Sequence, residues 1–200
     1  TMTPATSPGV AVAVDEVTVA RARHRDGQAL EALYRSFATP VYTLARRICG
    51  SVPAAEDVLQ ETFLEVMRSI HTFRGEGSLA GWIRRVAASK ALMRLRSERA
   101  RGDHEPLDEV LPFVAVGGDE ARTDAHAHAV GARVDLETAL AGLAPISRAV
   151  VWLHEVEGYT HEEIAVLLGK TPSFSKSQLA RAYARLRAAL AQQAGRQSCT

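Results

Sequence analysis

The stretch that most constrains the fold is residues 160–190, which combines a short apolar helix, a turn and a longer basic helix. Thr160 and Glu163 have the spacing of a capping box, in which each side chain bonds a free amide at the start of a helix. Gly169 ends the short helix, because glycine adopts the left-handed conformation without steric strain. A second helix should then begin near Ser173. A helix, a tight turn and a second helix in this order indicate a helix-turn-helix unit.

The second helix of this unit has an apolar face and a basic face. Its apolar positions recur at the helical period of 3.6 residues and are Leu179, Ala182, Tyr183, Leu186 and Leu190. Residues 169–190 include five basic residues and no acidic one, so the helix should attract phosphate groups. An isolated basic helix is equally consistent with a packing helix that has a solvated face. The capped helix and the tight turn before it favour DNA binding.

The net charge is only +1 and does not indicate nucleic-acid binding, but the distribution of charge along the chain does. Basic residues crowd residues 84–101, and acidic residues crowd residues 105–124. Apolar residues make up 46% of the chain, enough for ordinary cores, whereas aromatic residues make up only 6%. We therefore expect cores built from Leu, Val, Ile and Ala.

The helical periodicity divides the chain into two bundles. Residues 1–25 show no sustained period and predict a disordered leader. Residues 26–101 predict a three- or four-helix bundle, with a kink or a new helix start at Pro40 and helix caps at Ser51 and Ser78. In residues 102–131 the periodicity fades, which predicts a flexible linker. Residues 132–194 predict a second bundle, in which helices at 134–143 and 145–156 precede the helix-turn-helix. The predicted fold is all-α with two domains.

The sequence shows no pattern typical of a catalytic or metal site. Cys49 and Cys199 form no CxxC pair, which predicts a reduced cytoplasmic protein. His126 and His128 are spaced for a metal ion but lie in a polar, Ala-rich stretch, so we expect them to be solvated. With no nucleophile-base pair and no phosphate loop, we expect no cofactor and no enzymatic activity. The apolar run at residues 10–14 is too short for a membrane span or a signal peptide.

Motifs in both halves narrow the class of DNA-binding protein. The runs AEDVLQETF (55–63), FRGEGSL (73–79) and WIRRVA (82–87) resemble region two of the extracytoplasmic-function (ECF) sigma factors of the sigma-70 family. The runs LAP (143–145), EGYT (157–160), EIA (163–165) and LG (168–169) resemble region four of the same family. A helix-turn-helix alone is weak evidence, but the two sets in this order cover nearly all of residues 27–190.

The resemblance implies a bacterial RNA polymerase subunit that directs promoter-specific transcription initiation. The implied partners are core RNA polymerase, through the β′ clamp helices and the β flap, promoter DNA, and an anti-sigma factor or other regulator, with no insertion into a membrane. In the family an acidic helix of region two docks on the clamp helices. The residues matched to that role are Glu56, Asp57, Gln60 and Glu61. The last three lie on one helix face because they occupy positions i, i+3 and i+4.

The resemblance also assigns the reading of the −10 element to region two. A loop would hold a base flipped out of the duplex, and the next helix would bind the strand backbone. The matched residues are His71, Phe73, Arg74, Arg84, Arg85, Lys90, Arg94 and Arg96. Phe73 and Trp82 lie on or beside an apolar stripe, so we expect core positions rather than stacking platforms. Ser89 and Met93 stand where many family members have Asn and Asp.

Region four would read the −35 element as duplex DNA in the major groove. The candidate residues are Ser173, Phe174, Ser175, Lys176, Ser177, Gln178, Arg181 and Arg185. Gln178 and Arg181 suit base edges, and the residues suited to phosphates or bases are Ser173, Ser175, Lys176 and Arg185. Phe174 would point outward with Arg181 if the helix is continuous from Ser173, and would pack against the turn if the helix starts later. A DNA-binding activator that never joins the polymerase and a structural adaptor are the alternative classes.

Overall fold

The structure, a computed structural model, describes residues 14–75, 77–101 and 136–197, with side chains up to residue 191. Its elements in chain order are α1 (Glu16–Arg23), α2 (Gly27–Cys49), α3 (Val52–Ser69), a 3-10 turn (Ile70–Thr72), α4 (Leu79–Ala100), α5 (136–141), α6 (Pro145–Val151), a π-helical turn (Trp152–Val156), α7 (His161–Leu168) and α8 (Pro172–Gln197). These ranges contain no strand, which confirms the all-α prediction. The predicted linker at 102–131, with His126 and His128, and Cys199 lie outside the described residues.

The short helix α1 corrects the prediction of a disordered leader for residues 16–23. Asp15 caps it, because its carboxylate accepts a hydrogen bond of 2.8 Å from the Thr18 amide. Ala22 is fully buried where α1 packs against α2 and the 3-10 turn. Packing therefore orders a segment whose own apolar pattern is too short to predict a helix. The rest of the predicted leader, residues 1–13, lies outside the described residues.

Helices α2, α3 and α4 pack against one another and form the core of the N-terminal bundle. Ser51 and Ser78 cap α3 and α4 through bonds from the amides of Ala54 and Gly81, as predicted. The core is built from aliphatic side chains with one aromatic ring in α2 and one in α3: Leu33, Phe37, Val41, Leu44, Ile48, Val58, Phe63, Val66, Ile83, Leu92 and Leu95. This packing holds α3 and α4 side by side, with most of the predicted region-two residues on them.

Helix α2 runs through Pro40 without the predicted new start. A proline inside a helix removes one backbone donor and disfavours the preceding turn. Here Phe37 and Val41, on either side of the proline, are both buried in the core. We attribute the continuity of α2 to this packing, which outweighs the local preference of proline for a helix start.

The C-terminal bundle consists of α5, α6, the π-helical turn, α7 and α8. The helix predicted at 145–156 forms, but its last turn widens into a π-helix. The capping box of Thr160 and Glu163 is complete, and Gly169 ends α7 in the left-handed conformation with φ 63°. The start of α8 at Pro172 lies one residue before the predicted start at Ser173. The predicted helix-turn-helix is thus confirmed.

The two bundles pack against each other along α2 and α4 on one side and α6 and α7 on the other. Arg148 of α6 donates a hydrogen bond of 3.3 Å to the Ile48 carbonyl near the end of α2. Gly50 ends α2 with φ 82°, and a Cβ built there would lie 2.5 Å from Arg148 Nη2. Burial lowers the pKa of Arg148. An arginine of the C-terminal bundle therefore caps a helix of the N-terminal bundle.

Candidate nucleic-acid interface

The outward face of α8 is a cationic surface on the C-terminal bundle. Leu179, Ala182 and Leu186 are buried on its inner side, as the helical period predicts. Five exposed residues, which we call the reading face, are Ser173, Lys176, Ser177, Arg181 and Arg185. No carboxylate in the described part of the chain bonds any of them. The reading face is therefore available to phosphate groups.

Two residues of α8 that were predicted to contact DNA bond neighbouring helices, Ser175 to α7 and Gln178 to α6. Ser175 is fully buried, and its Oγ lies 3.0 Å from His161 Nδ1 of α7. The prediction that Ser175 contacts DNA is wrong for this reason. Gln178 is half-buried, and its amide oxygen accepts a hydrogen bond of 2.8 Å from Ser147 Oγ of α6. Base reading by Gln178 stays a prediction.

Phe174 is half-buried and packs against the core, although α8 is continuous from Pro172. Thr171 caps this end of α8, since its Oγ1 accepts a hydrogen bond of 3.2 Å from the Phe174 amide. The Lys170 ammonium group lies 6.0 Å from the centre of the Phe174 ring. Phe174 thus packs against the turn, and the expectation that a continuous helix would point it outward is wrong.

Two of the basic residues predicted to bind the −10 strand, both on α4, face α3. Arg94 Nη1 lies 2.7 Å from Asp57 Oδ2, and Arg94 Nε lies 2.7 Å from Glu98 Oε1. These two carboxylates raise the pKa of Arg94. Lys90 Nζ lies 3.6 Å from Glu65 Oε2 of α3. Lys90 and Arg94 therefore link α4 to α3, and their predicted strand contacts would have to compete with these pairs.

Two further basic residues of α4 face the C-terminal bundle. Arg84 Nε lies 3.9 Å from Glu157 Oε2, and Arg85 Nη2 lies 2.9 Å from Glu163 Oε1. The first pair is nearly buried, with side chains 15% and 12% exposed. Burial raises the pKa of Glu157 although Arg84 lowers it. These acidic partners could not be predicted from local patterns, because they lie more than 70 residues from their arginines in the sequence.

The predicted −10 loop divides into exposed and buried residues. His71 and Arg74 are exposed, whereas Phe73 is only 9% exposed and its ring centre lies 5.8 Å from that of Trp82. Phe73 is therefore a core residue, in agreement with its apolar surroundings in the sequence. Its predicted role in strand binding would require the loop to rearrange. Arg96 of α4 is exposed.

The exposed face of α3, which we call the docking face, combines polar and apolar side chains. Glu56, Asp57, Gln60 and Glu61 are all exposed, and Asp57 also pairs with Arg94. Leu64 and Met67 are each 41% exposed and border the same face, together with Tyr34 of α2. Leu59 and Phe63 also line this groove. This exposed apolar patch was not predicted from the sequence.

A second groove lies between α1 and the 3-10 turn. It has a volume of about 390 Å³ and is lined by Ala20, Arg23, His24 and His71. None of the described residues that line it is acidic. Arg23 and His24 were not predicted as site residues, because they fall in the segment predicted to be a disordered leader.

Within the described ranges no three His, Cys, Asp or Glu side chains are grouped to hold a metal ion. None of the helices in those ranges is both long and apolar enough to cross a membrane. The fold and the surfaces define a two-bundle, all-helical protein with a helix-turn-helix and a cationic reading face.

Comparison with known proteins gives the family. The profile of sigma-70 region 2 matches residues 33–101, and that of sigma-70 region 4 matches residues 133–186. The chain is 30% identical to the RNA polymerase sigma factor CarQ of Myxococcus xanthus, over 82% of this chain and 92% of CarQ. It is 36% identical to the ECF RNA polymerase sigma factor SigE of Mycolicibacterium smegmatis, over 80% of this chain but 60% of SigE. The chain belongs to the ECF sigma factors of the sigma-70 family, which direct promoter-specific transcription initiation.

Two solved structures share the fold. CnrH, in complex with the cytosolic domain of CnrY, aligns with a TM-score of 0.52 at 22% identity, over 89% of this chain and 97% of CnrH. RpoE of Bartonella quintana, in complex with the anti-sigma factor NepR, aligns with a TM-score of 0.52 at 20% identity, over 80% of this chain and 95% of RpoE. At these identities the likeness establishes the helical fold.

Proposed function

We propose that this chain joins core RNA polymerase through α3, holds the −10 strand with the N-terminal bundle and reads the −35 duplex with α8. The observation that carries the proposal is the opposite charge of two exposed helix faces. The docking face on α3 exposes Glu56 and Glu61, whereas the reading face on α8 has two arginines and a lysine and no acidic residue. A single chain with both faces can bind a basic protein surface and DNA at the same time.

The docking face has the composition of a protein interface. Leu64 and Met67 supply apolar area, and Glu56, Gln60 and Glu61 surround it with polar groups. Such a face suits a partner that is apolar at its centre and basic at its rim, which we assign to the β′ clamp helices. The C-terminal bundle would bind the β flap, so that both bundles are held at the spacing of the promoter elements.

The docking face is tested by replacing Glu56 and Glu61 together with arginine. Asp57 is left unchanged, because it bonds Arg94 and its loss would disturb the bundle. We expect affinity for core polymerase to fall by about tenfold or more, as like charges now face each other. The measurements are core binding by titration and promoter-specific transcription with purified core polymerase.

A matched control for this experiment replaces Glu31 and Glu162 with arginine, since both are exposed and lie outside the docking face. If both double variants bind core polymerase equally, the docking surface lies elsewhere. If the unaltered chain adds no promoter-specific initiation to core polymerase, the proposal fails as a whole, and a DNA-binding activator or a structural adaptor remains.

We assign the DNA contacts to those candidate residues whose side chains are exposed. At the −10 element we assign His71, Arg74 and Arg96 to the strand, together with Arg84 and Arg85 once Glu157 and Glu163 release them. At the −35 element the reading face supplies the contacts, with Arg181 suited to a base edge and Lys176 and Arg185 to phosphates.

We further propose that a protein regulator controls this chain. The similar proteins CnrH and RpoE were each solved with a protein partner, the cytosolic domain of CnrY and the anti-sigma factor NepR. A regulator of this kind would cover the docking face or the reading face. The chain would act in the bacterial cytoplasm without enzymatic activity of its own, since every assigned residue has a binding role.

A further inference from the structure

Two histidine rings stack where the π-helical turn, α7 and the first turn of α8 meet. The ring centres of His154 and His161 lie 4.3 Å apart, and the two ring planes differ by 17°. Both side chains are half-buried. His154 Nδ1 lies 2.8 Å from the Tyr159 carbonyl oxygen, and because a carbonyl only accepts, this nitrogen donates. The hydrogen bond fixes the orientation of the His154 ring, on which the His161 ring rests.

Ser175 connects this stack to the helix that carries the reading face. Its side chain is fully buried in the first turn of α8, and its Oγ lies 3.0 Å from His161 Nδ1. A buried hydroxyl group without a hydrogen-bond partner is costly, so Ser175 is held close to His161. The next residue, Lys176, is exposed and belongs to the reading face. The position of Lys176 therefore depends on the position of the His161 ring.

A second bond attaches the same π-helical turn to α8. Tyr183 Oη donates a hydrogen bond of 2.5 Å to Glu155 Oε1. Tyr183 lies about two helical turns after Ser175, and Glu155 directly follows His154 in the sequence. The π-helical turn is thus attached to α8 at two points, once through the histidine stack and once directly. Two points fix the direction of a helix, whereas a single point would leave the helix free to pivot.

We propose that His161, held in place by His154, is a positioning residue for the reading of −35 duplex and acts in its neutral form. A recognition helix forms several base and phosphate contacts together only if it is placed to within about 0.5 Å. Neither histidine needs to touch DNA, because both act through Ser175 on the start of α8. This inference rests on the proposed function of the reading face.

The groups around His161 determine its response to acid. Burial opposes a proton on His161 most strongly, and charge on His154 and on Lys176 of α8 also opposes it. Glu162 of α7 and Glu155 of the π-helical turn favour the proton. The net result is a pKa below the ordinary value of 6.5. Stability from this group is therefore fully present above pH 6.5 and is lost as the pH falls through the lowered pKa.

A proton on His161 would disturb the part of α8 that must be fixed for reading. It would place a positive charge beside Lys176 and near the positive end of the α8 dipole. Either effect pushes the first turn of α8 away from the His161 ring. Acid should therefore weaken the reading of −35 duplex without removing any DNA contact.

The test measures the affinity of the holoenzyme, the complex of this chain with core polymerase, for a fluorescent −35 duplex. His161→Ala should lower affinity roughly fivefold at neutral pH, because the Ser175 hydroxyl loses its partner. His161→Gln should restore most of this affinity, because its amide can bond Ser175. The effects of His154→Ala and His161→Ala should not add, since both act through one contact. Additive effects would overturn the shared role.

The pH profile separates positioning from a merely structural role. Glutamine takes up no proton, so the unaltered chain should lose roughly fivefold in affinity relative to His161→Gln between about pH 8 and about pH 5.5. His24→Gln, at an exposed histidine of α1, is the matched control and should follow the unaltered chain at every pH. Circular dichroism at each pH checks that the variants stay folded.

Three outcomes would count against these assignments. A constant ratio between the unaltered chain and His161→Gln would overturn the requirement for a neutral ring. A ratio that favours the unaltered chain at low pH would also overturn it, since His161 would then be a phosphate contact. If the unaltered holoenzyme binds −35 and scrambled duplexes equally at neutral pH, the proposed reading of the −35 element fails instead, and the two failures are thus distinct.

Discussion

Helices α4 and α8 look alike in the sequence and differ in the structure. Both are rich in arginine, and both were predicted to bind DNA. The cations of α8 have no acidic partner in the described part of the chain, whereas four cations of α4 are paired with carboxylates of α3, α4 or the C-terminal bundle. A basic helix is therefore a ready DNA surface only when no other element brings acids to it, and that depends on the fold.

The largest expected effect that separates the two helices is at Arg181. Arg181→Ala should weaken binding to −35 duplex by about 1–3 kcal/mol if the guanidinium reads a base. The free energy of unfolding should change by less than about 0.5 kcal/mol, because the side chain is exposed and unpaired. Competition assays with point-mutated −35 duplexes, together with denaturant unfolding, give both numbers. A uniform loss across all duplexes would make Arg181 a phosphate contact.

At Arg94 we expect a loss of stability without a loss of binding to −35 duplex, the opposite of the result at Arg181. Arg94→Ala should lower the free energy of unfolding by about 1 kcal/mol, because it breaks two close ion pairs that are partly shielded from water. Binding to −35 duplex should be unchanged. Arg99→Ala, at an exposed position of the same helix, is the matched control and should be nearly neutral. Equal stability of the two variants would mean that the pairs of Arg94 contribute nothing measurable.

The smallest expected effect is a pH dependence at Glu157. Burial raises the pKa of Glu157 above its ordinary value of 4.5, so the folded chain takes up a proton at this residue more readily than the unfolded chain. With respect to this group, the stability of the folded chain is therefore highest below pH 4.5 and falls as the pH rises through the raised pKa. The difference in melting temperature between the unaltered chain and Glu157→Gln, followed from pH 4.5 upward, measures it. A constant difference would show that Glu157 titrates normally.

Local signals in the sequence predicted the helix-turn-helix well. The capping box, Gly169 at the end of α7 and Ser78 at the start of α4 act within a few residues, so the chain near them is enough to place a helix end. The inner and outer faces of α8 follow from the 3.6-residue period in the same way, except where Phe174 and Ser175 turn inward.

The features that sequence reasoning missed depend on distant residues. The new helix start, one of the two outcomes predicted at Pro40, does not occur, and α1 forms, because of packing that no local rule contains. Ser175 was misplaced because its partner, His161, lies on another helix. The carboxylates facing Arg84 and Arg85 were missed for the same reason. The exposure of the candidate DNA-binding residues was thus predictable where it depends on the helical period of α8. It was not predictable on α4, where one bundle meets the other.

The contact between the two bundles depends on a glycine at position 50. Its backbone has φ 82°, and the space where a side chain would begin is filled by the guanidinium group of Arg148. A methyl group added at position 50 would require this guanidinium group to shift, and the positive φ would be strained for any residue with a Cβ. The absence of one carbon atom at this position is therefore part of what lets the two halves of the molecule fit together.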